Sequence, residues 1–355
     1  MIRGHGITKH VQFREESMKV TFFKTFIAAC MLSSTSVVAQ DFELTFQSVD
    51  PAGNPNFAIQ QAWTERVKLM SGGRLSIELL PVGSVVEYNE TQDAVGNGIL
   101  DGHITDVSYF SGKDPAFGLI ANPIGAWAAP DEMFRFINYG GGYELMNALE
   151  GPYGLHFIGA TTTGLEGFVS KRPLDGVDDL KGLKVRAPEG LIQEVFAAAG
   201  AVPVNLPYSE VYTALDKGVI DAADSTVFST NHQQGLHKVA EHPVYPGFHS
   251  MPLVEVSMNL DKWNALPSDL QEILTVSVRD FAQDAVAILS MNDLKTYAEA
   301  TADPNITVHN WSAEERAKFR RIAMDQWAKV AARSDNAQNV YETLTSYLDS
   351  QGMLK

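Results

Sequence analysis

A continuous run from Leu180 to Thr226, LKGLKVRAPEGLIQEVFAAAGAVPVNLPYSEVYTALDKGVIDAADST, leaves this chain few folds to choose from. Leu183-Lys184-Val185 reads as a short strand that ends in Arg186. Pro188 suits the first turn of a helix, where its missing N–H would have had no partner. Ile192, Val195 and Phe196 give that helix an apolar stripe, and Gly200 stops it. Val202 to Leu206 reads as a second strand. Ser209 can cap a helix through Leu215 that Gly218 closes, and Val219-Ile220 leads into Asp221-Ala222-Ala223-Asp224. The sum is a βαβα unit of an open α/β sheet, and such sheets bind ligands beyond the C-terminal ends of their strands. Arg186 stands at such an end. Its planar fork of donors matches a carboxylate two-to-two; the plainer alternative is a surface arginine paired with a nearby acid.

The same residues carry a resemblance. Gly182–Pro188 (GLKVRAP), Ala198–Leu215 (AAGAVPVNLPYSEVYTAL) and Gly218–Ala222 (GVIDA) look like the core of TRAP-transporter substrate-binding proteins of the DctP type. The resemblance implies a two-lobed periplasmic binding protein: a type II-like α/β fold with mixed sheets in each lobe and a long helix spanning both. It implies lobe I from residues 41–164 plus 225–254, and lobe II from 165–224 plus 255–355. In that family the arginine pairs with the carboxylate of an organic acid, a role that falls to Arg186. Tyr109-Phe110-Ser111-Gly112-Lys113-Asp114-Pro115-Ala116-Phe117 resembles the α-keto-acid-binding branch. There, tyrosines at this point line the ligand cavity, which implicates Tyr109 and also Tyr88; both could equally be core residues with satisfied hydroxyls.

The same branch holds a sodium or calcium ion that bridges to the ligand. Its glutamate position matches Asp224, and its glutamine position falls near Glu166. A tryptophan that lends a backbone carbonyl is Ser225 here. Oxygen ligands of this kind suit calcium or sodium. Two solvated acids without an ion are the alternative. The implied partners are a small organic acid and the membrane permease subunits, with room for a homodimer.

Charge and targeting agree with this. The chain has 355 residues and a formal charge of −16, and residues 1–39 hold five basic against two acidic side chains. Nucleic acid and anionic membrane surfaces are excluded as partners on charge. Met18-Lys19 opens a basic stretch, Thr25 to Val38 is apolar and small, and Val37-Val38-Ala39 fits a signal-peptidase site. Residues 1–39 thus read as a signal peptide with an upstream extension, and the location as periplasmic. Cys30, the single cysteine, lies in this segment, so the mature part has no disulfide and no thiol chemistry. Ile27-Ala28-Ala29-Cys30 also resembles a lipoprotein box.

Other motifs are weak. Gly140-Gly141-Gly142 lacks the Lys-Ser/Thr of a phosphate cradle and reads as a helix interruption. His232, His237, His242 and His249 are spaced five, five and seven apart, which is no usual zinc ladder, so they read as surface or interface histidines. Ser268 with Gln271 forms a capping-box pattern for a long helix from Asp269 to about Ala300, and Ser312 with Glu315 another. No nucleophile or metalloenzyme motif occurs. The competing readings are a secreted hydrolase or lyase using Glu166 and Asp224, and a sensory receptor. The sequence leaves the ligand open among keto, hydroxy and dicarboxylic acids, sulfonates and zwitterions.

Overall fold

The computed structural model describes residues 41–354. The signal segment, Cys30 and the cleavage site lie outside the described residues. Nine strands form two sheets. The first sheet runs in the order β2 (Leu75–Leu80), β1 (Phe42–Ser48), β3 (Gly102–Asp106), β9 (Val254–Asn259), β4 (Leu155–Thr161). Strands β2, β1 and β3 are parallel, and β9 runs antiparallel to both β3 and β4. The second sheet is β5 (Gly167–Ser170), β8 (Ala222–Thr226), β6 (Lys184–Arg186), β7 (Val202–Val204), with β8, β6 and β7 parallel. The mixed sheets are those expected of a two-lobed α/β chain. The ladder carries β9 as a whole, residues 255–259 included, in the first sheet, and keeps Ser225 and Thr226 in the second.

Local chemistry sets the element ends that matter for the cleft. The run from Gly102 to Phe110 reads by its alternation as one strand, but β3 stops at Asp106. The Asp106 carboxylate accepts the Ser108 N–H at 2.8 Å and starts a 3₁₀ turn over Val107–Phe110 that carries Tyr109. Asn54 caps the helix Pro55–Met70 by accepting the Asn56 N–H, with Pro55 opening the helix. Ser209 does not cap: a 3₁₀ turn over Tyr208–Glu210 runs directly into the helix Val211–Asp216.

The long helix is Ser268–Ala302, 35 residues. Its expected capping box does not form. Pro267 starts the helix one residue earlier, its carbonyl taking the N–H groups of Leu270 and Gln271, and the Gln271 amide turns away to the Trp263 carbonyl. Ser312 does cap Ala313–Ala331, accepting from Glu315 N–H. The long helix packs on β4 and on the helix Pro55–Met70, where Trp63 stacks on Phe281 at 5.6 Å and donates to Ser277. Further along, Asp293 accepts the Ser229 N–H of the helix Phe228–Gln233, which follows β8. The helix thereby bridges elements of both sheets.

Candidate functional site

The C-terminal ends of the parallel strands face one cleft. It is lined by Asp50 and Asp106 from the ends of β1 and β3, by Tyr109, and by Arg186, Tyr208, Asp224 and Ser225 from the second sheet. Glu166, Asn122 and Ser250 complete it. The space between them is about 60 Å³. At about 10–15 Å³ per water-sized group, that admits roughly four to six such groups and no large solute.

Arg186 is the last residue of β6 and only 2% exposed. Its Nε donates to the Leu206 carbonyl at 2.9 Å and its Nη1 to the Asp224 carbonyl at 2.8 Å. Its Nη2 has no partner although buried. Two backbone bonds therefore lock the plane of the guanidinium and leave one terminal nitrogen for something else. Burial opposes its charge, but Tyr109, Asp224 and Glu166 outweigh it and hold Arg186 above its ordinary value.

Behind the arginine lies an acidic cluster. Glu166, Asp224 and His249 are all buried and bring one ligand atom each within 4.8 Å of one another. His249 Nε2 stands 2.7 Å from Asp224 Oδ1. Burial alone would raise the Asp224 pKa, yet His249 holds it below the usual carboxylate range. Glu166 goes the other way: burial and the neighbouring Asp224 charge push it well up. Ser250 Oγ donates to Glu166 Oε2 at 2.6 Å and accepts from Asn122 Nδ2 at 2.6 Å. A Cβ on Gly247 would come within 1.7 Å of the Glu166 carbonyl oxygen, so only glycine lets this return segment pass. The two carboxylates and the His249 imidazole are close enough to share one cation, and the carboxylate oxygens suit a hard one.

Five of the residues singled out from sequence, Arg186, Tyr109, Glu166, Asp224 and Ser225, line this one cleft. Tyr88 does not; it packs edge-on against Tyr109 with ring centroids 4.7 Å apart. The histidine expectation needs correction. His237 and His249 are 1% exposed, and His249 belongs to the cleft cluster because it meets Asp224 there. His232 and His237 meet each other, whereas His242 pairs with His309. Sequence reasoning passed over Asp50, Asp106, Asn122, Tyr208 and Ser250. The strand-end rule applied to Arg186 would have found Asp50.

A family model described as bacterial extracellular solute-binding protein, family 7 (DctP), matches residues 46–334. The chain belongs to that family. It is therefore an extracytoplasmic solute-binding protein of the TRAP-transporter type and not an enzyme, which removes the hydrolase or lyase reading of Glu166 and Asp224. A TRAP periplasmic solute-binding protein from Rhodobacter sphaeroides, solved in an apo open form, is 60% identical. That likeness covers 88% of this chain and 99% of the other, at a TM-score of 0.73. One from Pseudoalteromonas atlantica, with bound sodium and pyruvate, is 26% identical over 88% of this chain and 95% of that chain, at a TM-score of 0.78. A monocarboxylate 2-oxoacid-binding periplasmic protein of Nostoc is 34% identical over 212 residues. That match spans 59% of this chain and 57% of the relative's length.

Proposed function

We propose that this member of the family captures a small monocarboxylic acid in the periplasm, after export directed by the segment ending near Ala39, and hands it to the permease of a TRAP transporter. The observation that carries the reading is the buried Arg186 in the lining of this cleft, with its Nη2 lacking a hydrogen-bond partner. A carboxylate there would complete the terminal nitrogen that the two backbone bonds of Arg186 leave unsatisfied. Tyr109, braced by Tyr88, would bound the ligand on the side of the first sheet.

Glu166 and Asp224, with Ser225, would hold a sodium or calcium ion. Its charge would offset the acids that otherwise repel an anionic solute. The bound sodium and pyruvate of the P. atlantica relative, and the 2-oxoacid named for the Nostoc relative, support this class. Asn54, preceding the first helix, reaches across to the Tyr208 hydroxyl at 3.1 Å. Closure then needs only better contacts in the closed than in the open state.

The test is calorimetry with pyruvate and lactate, before and after calcium chelation in sodium-free buffer. Arg186→Met should weaken binding by more than about tenfold, because the carboxylate loses its buried partner. Unchanged affinity in that variant would remove the anchor. Unchanged affinity after chelation would remove the ion.

A further inference from the structure

The two sides of the cleft differ in charge: Asp224 and Glu166 accompany Arg186 on one, and no cation stands on the other among the described lining residues. The wall built on the second sheet presents Arg186, whereas the wall built on the first sheet presents two carboxylates, Asp50 just beyond β1 and Asp106 at the end of β3. Asp106 has a share in Arg186, whose charge reaches it. Asp50 has none. It is 7% exposed, and its supports are all neutral: Gln60 Nε2 donates to Oδ2 at 2.8 Å, and the Ser48 hydroxyl takes its backbone N–H at 2.9 Å. Ser48 in turn donates to Gln60 at 2.5 Å, so the acid is held in place by a closed neutral network. Among the described residues no lysine, arginine or histidine contributes to its environment, and burial pushes it up to about 6.

A buried carboxylate kept without a cation costs stability unless something supplies one. The proposed ion is assigned to other lining acids, Glu166 and Asp224, and not to Asp50. A ligand can supply the cation. A solute lying between Arg186 and Asp50 would meet a cationic donor at one end and an anionic acceptor at the other. That pattern fits a dipolar molecule better than a plain acid.

We propose that the solute of this cleft carries an ammonium group beside its carboxylate, which makes it a small amino acid, with Asp50 as the ammonium acceptor. This rests on the small-carboxylate reading above and narrows it. Asp50 is then a specificity residue: it rewards the zwitterion and leaves an acid without an amine facing an uncompensated carboxylate.

Calorimetry on the whole mature chain, with calcium present at neutral pH, tests this with matched pairs: alanine against lactate and pyruvate, and β-alanine against propionate. The amine-bearing member of a pair should bind at least about tenfold more tightly than its partner. Asp50→Asn should abolish that preference by weakening the amine-bearing member and tightening its partner. Pyruvate or propionate binding as tightly as the amino acids would overturn the inference and leave the carboxylate reading standing. Binding by none of the five would overturn both. Should Asp50→Asn fail to fold, the ranking on the wild-type chain still decides.

Discussion

The chain buries acids in two places, with opposite outcomes. In the interior of the first sheet, Glu150, Glu255 and His103 are all fully buried. Gln92 donates to Glu150 at 3.0 Å, Ser257 to Glu255 at 2.6 Å, and His103 Nε2 lies 3.3 Å from Glu255. Burial pushes Glu255 up to about 8, Glu150 well above its ordinary range and His103 down to about 4. Burial thus favours the uncharged form of each member of this group. In the cleft, burial is as deep, but Arg186 keeps its charge and Asp224 is held ionised by His249. Burial alone therefore does not mark a binding site in this molecule. What marks it is charge retained under burial, together with a donor that has no partner.

The contrast can be broken at its charged end first. His249→Phe removes the partner of a buried carboxylate. The new ring would sit among Phe168, Phe196 and Phe248, which already surround the imidazole at 4.9–5.9 Å. Steric fit is thus preserved while Asp224 is stranded, which should cost about 3–5 kcal/mol. Adding Asp224→Asn should return much of that loss in a thermal melt; a double variant no better than the single would show that the pair carries no such charge.

The cluster inside the first sheet should respond in the opposite sense. Glu255 holds its proton in the folded chain up to about pH 8 and releases it near 4.5 when unfolded. Its contribution is complete below that lower value and is lost as pH rises through the upper one. Glu150, His103 and Asp106 face the same space and set the local charge. Glu255→Gln should therefore stabilise the chain at alkaline pH, on the order of 2 kcal/mol, and hardly at all in mild acid. A melting-temperature difference that stays flat with pH would contradict this. A smaller effect should come from Ser250→Ala, which removes one hydrogen bond to Glu166 and one from Asn122 and costs about 1–2 kcal/mol. A loss as large as that of His249→Phe would mean the serine supports more than one acid.

Much of this was legible in advance because it rests on local pattern. The alternation of strand and helix from Leu180 to Thr226, the Arg186 strand end and the long helix all depend on residues close in sequence. The His249 contact was not legible, since its partner Asp224 lies 25 positions away and only the crossing of the chain between sheets joins them. Asp106 hid inside an apparently continuous strand because a single side-chain bond to Ser108 decides where that strand stops. The Ser268–Gln271 pattern misled for a similar reason: a proline one residue earlier, with its φ already fixed, set the helix start.

One consequence follows from the bare α-carbon of Gly247 resting on the main chain of Glu166. The outbound and homeward passages between the lobes touch without any intervening side chain, so neither can slide without dragging the other. Glu166 is then a passenger on that double track, and its carboxyl should arrive or withdraw in step with the hinge itself.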